Sequence, residues 1–209
     1  MFNFKKQIIV YMAVLMVIFF SIELPQANDQ AGEAKLGWVV QMGLDFGGDT
    51  LAKAKFKGGG TDTIKAGEGF WLAGGIVGIV KNFETQFTIG YKSDSSTASN
   101  GSMDFSRIPV ELLWFYNKRN DEGYLSGTWR FGGGITYHIN PELKGDGAAK
   151  KIDAEFDNAL GFILEAGVIF QTQDAIKPFL GLRYTFIDYE IGKNSADGNC
   201  LGFLAGIKF

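Results

Sequence analysis

The sequence has 209 residues but a single cysteine, Cys200, and a single histidine, His138. One cysteine excludes an internal disulfide. One cysteine with one histidine excludes metal centres built from several such ligands, and neither a metal nor another cofactor is expected. Proline is scarce at 4 residues, whereas glycine reaches 29 and phenylalanine 19. Glycine and aromatics without proline suit twisted, closely packed strands better than helices. No sign of charge dominates: the formal net charge is -3 and charged residues make up 21%. Nucleic-acid binding would favour a clustered basic surface, so no nucleic-acid partner is expected. A phosphate-cradling motif is also missing, because Gly58-Gly59-Gly60 is followed by neither Gly-Lys-Ser/Thr nor a helical pattern. Asp153, Glu155 and Asp157 begin like a calcium loop, but Asn158 stands where glycine is needed and Leu164 where the last acidic ligand belongs. That segment reads as a solvated loop running into a strand.

Long apolar runs are confined to the amino terminus. Lys5 and Lys6 precede an apolar stretch from Ile8 to Phe20. Its length fits a signal peptide and is short for a membrane-spanning helix. Residues 1–27 are expected to be a cleaved leader, cut after Ala27, and residues 28–209 a single domain. An N-terminal membrane anchor is the alternative. No second domain, linker or appended module is expected.

The remainder alternates with a period of two, the signature of extended chain whose side chains point to opposite faces. Eight strands are expected, near 36–46, 70–80, 83–92, 104–117, 124–139, 159–172, 177–191 and 199–209. In the first, Leu36, Trp38, Val40, Met42, Leu44 and Phe46 oppose Gly37, Val39, Gln41, Gly43 and Asp45. The second is apolar on both faces, so its register is not readable. The third sets Phe83, Phe87, Ile89 and Tyr91 against Glu84, Gln86, Thr88 and Lys92. Later strands set Ile108, Val110, Leu112, Trp114 and Tyr116 against Arg107, Glu111 and Asn117, and Trp129, Phe131, Ile135 and Tyr137 against Arg130, Thr136 and His138. Leu160, Phe162, Leu164 and Val168 oppose Glu165 and Gln171, and Leu180, Leu182, Tyr184 and Phe186 oppose Arg183 and Thr185. Gly132, Gly133 and Gly134 interrupt the fifth strand and would allow the sharp curvature of a small barrel. Connections alternate between short ones (81–82, 117–123, 173–175) and long polar ones (47–69, 93–101, 140–158, 192–199). Short turns at one end and long loops at the other are a habit of membrane barrels.

The last strand is the most informative. Leu201, Phe203, Ala205, Ile207 and Phe209 share one apolar face, and Gly202, Leu204, Gly206 and Lys208 share the other. A final strand must pair with something or present an open edge, and pairing with the first strand closes a ring. The fold class expected is therefore all-β: a closed, antiparallel, up-and-down transmembrane β-barrel of about eight strands. A soluble, lipocalin-like barrel is the competing architecture. It would put its charges in water; here glycines and mixed charges share a face that suits a narrow interior, while the bulky aromatic face suits lipid. Aromatics near the strand ends form two girdles, with Trp38, Trp114, Tyr116, Phe170 and Phe209 at one rim and Phe46, Tyr91, Tyr137 and Phe186 at the other.

This ending resembles the carboxy-terminal signal of bacterial outer-membrane proteins, carried here by Leu201, Phe203, Ile207 and Phe209. In strand number, loop asymmetry and terminal Phe the chain resembles the small outer-membrane proteins of the OmpX/OmpW type. The resemblance implies a Gram-negative outer-membrane location, recognition of Phe203, Ile207 and Phe209 by the outer-membrane assembly machinery, and a non-enzymatic structural or surface-interaction role. It carries over no functional residue.

Candidate functional residues follow from the inward face. Asp45, Glu111, Arg130, Glu165, Arg183 and Lys208 are expected to form a lumen ion-pair network, with Glu84, Lys92 and Arg107 on the same face. Such charges are expensive to bury unpaired. They close the lumen as a plug of salt bridges or line a narrow path for ions or small solutes; their near balance favours the plug. His138 raises an enzyme alternative, since small outer-membrane barrels include lipid A-modifying enzymes that use His with Ser. Position 140 is Asn, so the His-x-Ser spacing of the deacylases is missing, which leaves a distant serine such as Ser93 or Ser195 as the alternative nucleophile. Lys53, Lys55 and Lys57 share a face if extended and, with Lys65, would suit lipopolysaccharide phosphates. The expected partners are outer-membrane lipid and lipopolysaccharide, with the chain acting as a monomer.

Overall fold

A computed structural model describes residues 34–209 apart from 56–60, 99–100, 121–126, 148, 151 and 173–174. Period-two patterning becomes twelve strands among the described residues: β1 (Lys35–Gly47), β2 (Thr50–Lys55), β3 (Thr61–Lys65), β4 (Gly69–Val80), β5 (Phe83–Ala98), β6 (Gly101–Asn120), β7 (Gly127–Gly147), β8 (Ala154–Glu155), β9 (Ala159–Phe170), β10 (Lys177–Ile191), β11 (Asn194–Asp197) and β12 (Cys200–Lys208). Eight of them form an antiparallel ring in the order β1, β4, β5, β6, β7, β9, β10, β12. β12 returns to β1 over Val39↔Lys208 to Gly47↔Cys200, and so closes the barrel. Trp38 and Phe209 exchange backbone hydrogen bonds of 2.7 and 3.0 Å, carrying closure to the last residue. A ring without edges has no open strand to aggregate. The compact unit runs from Lys35 to Phe209. The leader expected over 1–27 lies outside the described residues.

The outer face is a belt of exposed apolar side chains, with Leu36, Trp38, Phe83, Leu160, Phe162 and Phe203 among the most open. Of the aromatics expected in two girdles, Trp38, Trp114, Tyr116, Phe209, Phe46, Tyr91 and Phe186 are exposed, whereas Phe170 and Tyr137 are partly buried. Phe83 and Tyr116 meet edge to face at 5.6 Å, and Tyr184 and Phe186 tilt together at 4.6 Å. Val110, expected outward, is only 8% exposed; it stands in register between Ile89 and Tyr137. Gln171 falls beyond β9, exposed at the turn end, where its amide donates to Thr128 Oγ1 at 2.8 Å. β4 takes the register the sequence hides: Phe70 and Leu72 point out, and Trp71, Ala73 and Val77 point in.

β7 runs unbroken through Gly132, Gly133 and Gly134, so these glycines do not interrupt it. They let neighbouring strands come close: a Cβ on Gly132 would lie 1.9 Å from the Trp114 carbonyl oxygen, and one on Gly134 2.0 Å from that of Leu112.

The loop end departs most from expectation. Residues 47–69 contain the β2–β3 hairpin, β7 continues to Gly147, β8 pairs with β7, and β11 pairs with β10. β7 thus takes 140–147 out of the long connection expected over 140–158, whereas the 153–158 segment, apart from the two residues of β8, is loop with Asp153, Glu155 and Asp157 exposed, as its sequence suggested. Ala52, Ile64, Met103, Phe105, Leu143, Ala149, Ile187 and Tyr189 pool into one buried core, against which Leu51, Ile152 and Phe156 pack. Phe105 meets Phe156 and Tyr189 edge to face, both at 5.5 Å. The loops therefore make a folded cap with its own hydrophobic core. Each loop contributes only a few apolar residues, too few to read as a strand alone, and burial pools them.

Candidate functional site

Alternation sends every second residue of the ring strands inward, and beside apolar residues and glycines it delivers seventeen buried polar or charged side chains among the described residues, most of them in the lumen. Toward the turn end, Lys208 Nζ donates to both oxygens of Glu84 at 2.6 and 2.7 Å, and Asn117 Nδ2 donates to Glu84 Oε2 at 3.0 Å. Arg130 lies 3.4 Å from Glu84 and donates to Gln86 Oε1 at 3.0 Å. Gln86 in turn donates to Gln41 at 3.2 Å.

Midway up, Glu165 lies between two arginines. Arg183 donates to its Oε2 through Nη2 at 2.9 Å and Nε at 3.1 Å. Arg130 Nη1 approaches Oε1 at 2.9 Å, misaligned for a hydrogen bond, so that contact is ionic. Arg183 also reaches across the lumen from β10 to Glu111 on β6 at 2.8 Å, and Thr88 donates to the same carboxylate at 3.1 Å. Below the cap, Lys92 pairs directly with Asp45 and donates to the Gly67 carbonyl at 2.7 Å. Trp71 Nε1 donates to Asp45 Oδ1 at 3.1 Å. The structure thus brings Glu111, Arg130, Glu165 and Arg183 into one cluster. Asp45 and Lys208 sit in separate layers, paired through Lys92 and Glu84.

Aromatic faces complete the interior. Arg130 Cζ lies 3.6 Å from the Phe115 ring centroid and 5.0 Å from that of Phe179; Arg183 Cζ lies 4.5 Å from Trp71, and Arg107 Cζ 4.5 Å from Phe105. Stacking of this kind offsets part of the cost of desolvating a cation. Inward glycines make the room: a Cβ on Gly43 would meet the Trp71 ring at 2.6 Å, and one on Gly206 would meet Phe179 at 2.5 Å. The inward face carries five cations (Lys92, Arg107, Arg130, Arg183, Lys208) and four carboxylates (Asp45, Glu84, Glu111, Glu165), all buried. Arg107 donates to backbone carbonyls, those of Glu68 at 2.7 Å and Phe105 at 3.2 Å. Between the Asp45 and Glu111 clusters the space amounts to about 10 Å³, bordered by Trp71, Lys92, His138 and Arg183. That is the volume of about one water probe.

The sequence alone would also allow His138 to be a rim histidine hydrogen-bonded to its neighbours, but it is not at a rim. It is buried beneath the cap, with Nδ1 2.6 Å from the Tyr189 hydroxyl. The two serines considered from the sequence are placed otherwise: Ser93 donates to Asp104 at 2.5 Å, and Ser195 is exposed in the β10–β11 hairpin. Phe203, Ile207 and Phe209 all point outward from the closing strand. Of the four lysines, Lys53 is exposed on the hairpin and Lys65 pairs with Glu68 at 3.2 Å. Lys55 has only its backbone described, and Lys57 lies outside the described residues. Asp62, on β3, accepts from the Ser96 hydroxyl and the Thr63 N–H, which hold its carboxyl below the usual carboxylate range.

Sequence reasoning missed the inward aromatics Trp71, Phe105, Phe115 and Phe179. Phe105 and Phe115 share parity with Arg107 and Glu111, and Phe179 with Arg183, so the signal was present. Trp71 had none, since no charge marks its strand.

No protein-family model matches the chain. No curated protein matches it either. Solved structures do. Over 84% of this chain and 97% of the other, the architecture overlays the crystal structure of Neisserial surface protein A, with a TM-score of 0.55 at 13% sequence identity. The fold is that of a small outer-membrane β-barrel. The outer membrane protein AlkL, determined by solid-state NMR in lipid bilayers, also matches, over 88% of this chain and 94% of its own, at 16% identity and a TM-score of 0.45. At such identities only the fold is shared.

Proposed function

We propose that the protein is a non-enzymatic barrel of the Gram-negative outer membrane whose lumen is a closed, ion-paired plug and whose capped loop end faces the outside as a structural or interaction surface. The observation that carries this reading is the interior itself: four carboxylates and four of the five cations are ion-paired within 3.4 Å, and about 10 Å³ of space separates their clusters. A hydrated ion needs an open, water-lined path, whereas these charges satisfy one another. The apolar belt is suited to lipid, and the fold of known outer-membrane barrels supports that location. On the same reading, residues 1–27 direct export and are removed, and the face around Phe203, Ile207 and Phe209 engages the assembly machinery. Lys53 on the exposed hairpin would meet lipopolysaccharide phosphates, Lys55 and Lys57 would join it, and Lys65 would be weaker because Glu68 already holds it. The barrel acts as a monomer, since closure leaves no edge strand to share.

Planar-bilayer recording tests the plug. Purified protein should insert with little or no steady conductance; large, ohmic steps from the wild type would replace the plug with a channel. Mass spectrometry of lipid A from cells with and without the protein tests the non-enzymatic part, with identical lipid A profiles expected.

A further inference from the structure

The barrel wall parts between β9 and β10. β9 and β10 pair from Phe179↔Ile169 to Ile187↔Gly161, and there the ladder ends. Above it, β10 stays in its hairpin with β11 on the edge away from β9, through Asp188↔Asp197 and Tyr189↔Ala196, while β9 stays with β7 up to His138↔Ala159. The two rejoin through one backbone hydrogen bond, Asp157 N–H to the Glu190 carbonyl at 2.8 Å. A cleft of about 550 Å³ lies between them. That is within the range of small-molecule sites, roughly 300–1,000 Å³.

The cleft has two chemistries. Leu160, Phe162 and Phe186, exposed on the outer face, form an apolar floor continuous with the belt. Ile187 forms part of its back and belongs to the buried core of the cap. The rim carries Asp157, Asp188 and Glu190, all exposed, and no lysine or arginine is among the described residues that line the cleft. Along the outward face of β10 the order is Leu182, Tyr184, Phe186, then Asp188 and Glu190, so the apolar belt ends at the cleft. An occupant must therefore be apolar on the belt side and polar on the rim side. Three carboxylates with no balancing cation among the described lining residues determine the sign of its polar end: an anionic head group would be repelled and a cationic one attracted.

We propose that this cleft binds an amphiphile with a cationic head group and one alkyl chain. The chain lies over Leu160, Phe162 and Phe186 with its flank against Ile187, and the ammonium sits among Asp157, Asp188 and Glu190. The site lies outside the lumen and stands whether or not the lumen conducts.

The test uses the full mature chain refolded in maltoside micelles, whose neutral head groups favour neither sign. Amide NMR is followed during titration with a spin-labelled alkyltrimethylammonium and with the alkyl sulfate carrying the same chain and label. Saturable broadening centred on residues 157–162 and 186–190 is expected from the cation, and weak, unsaturable broadening from the sulfate. The Asp188→Asn/Glu190→Gln double variant, which is nearly isosteric and exposed, should bind the cation about fivefold to tenfold more weakly, the yield of two partly screened charge pairs. Leu160→Trp, which fills the floor and keeps the rim, should abolish the localised broadening. Heat-modifiable gel mobility establishes that both variants are folded. Even broadening around the whole belt by both probes means partition into the micelle only and overturns the proposal. So does unchanged cation affinity in the folded double variant.

Discussion

Replacing Glu165 with Ala probes the lumen at its most connected point. The wild-type carboxylate holds Arg183 at 2.9 Å and Arg130 at 2.9 Å, and all three side chains are buried. Breaking a buried ion pair from one side costs about 3–5 kcal/mol, because the partner keeps its charge without compensation. Here neither arginine is wholly abandoned: Arg183 keeps Glu111 at 2.8 Å and Arg130 keeps Glu84 at 3.4 Å, and both keep an aromatic face. The loss should therefore sit near the lower limit, about 3 kcal/mol, or about a hundredfold in the unfolding equilibrium. Urea unfolding in lipid vesicles measures it. Trp71 is a built-in reporter, since it is buried while Trp38, Trp114 and Trp129 are exposed, and the Arg183 guanidinium lies 4.5 Å from its ring. Glu165→Gln keeps volume and an acceptor and should lose less. In the Glu165→Ala/Arg130→Met pair the combined loss should fall short of the sum, since the second change removes a charge the first left exposed to its neighbours. A Glu165→Ala loss under about 1 kcal/mol, additive with Arg130→Met, is the behaviour of screened, solvated charges. It would refute the reasoning and point to a lumen full of water.

Three other perturbations test the rest of the structure. Phe209→Ser removes the outward aromatic that ends the closing strand and should lower the amount of heat-modifiable, assembled protein; undiminished levels in the membrane fraction would count against a role in assembly. Leu182→Arg, mid-belt and exposed, should destabilise by roughly 2–4 kcal/mol in lipid, whereas Thr97→Arg, exposed beyond the belt, should change urea stability little. Thr185→Lys, which the sequence alone would rate as mild, should also be harmful, because Thr185 is 5% exposed and would place a sixth cation in the lumen. Acidification should loosen the β2–β3 hairpin before the belt. The Asp62 carboxyl is held below its ordinary value, so its contribution is present above the usual carboxylate range and lost as pH falls through the lower folded value. Amide-exchange protection of residues 61–65 at neutral and acid pH measures this, and Asp62→Asn or Ser96→Ala should remove the difference.

The outer face was legible because lipid-facing and lumen-facing residues alternate with bulky apolar groups on one parity. Leu36 to Phe46 and Leu201 to Phe209 announce their register without help. β4 was not legible, because Gly74, Gly75 and Gly78 erase the contrast between its faces; Trp71 is placed only by its neighbours, opposite Gly43 on β1 and Lys92 on β5. Which charges share the interior followed from parity, but which of them meet did not. Arg183 faces Glu165 in register across β10 and β9, yet its contact with Glu111 joins strands two places further around the ring. Such a contact depends on strand tilt and barrel width, which no local pattern encodes. The cap was hidden for a different reason: Ile64, Phe105, Leu143 and Tyr189 come from separate loops and strand tips, and only closure brings them together.

That the pairing register is tightly determined follows from the interior. A slip of one residue along a strand exchanges its two faces. On β5 this would drive Glu84, Gln86 and Lys92 into the apolar belt and bring Phe83 and Tyr91 into the lumen, and on β10 it would expel Arg183. The glycines penalise the same slip sterically. Gly43 leaves the space that Trp71 fills, Gly202 the space beside Asp45, where an added Cβ would lie 2.0 Å from Oδ1, and Gly206 the space of the Phe179 ring. These three relations tie β1 to β4, β12 to β1 and β12 to β10, which are the pairings that include the closing seam. The inward charges therefore specify the barrel even where their net contribution to stability is small: each correct pairing relieves a burial cost that every wrong register incurs.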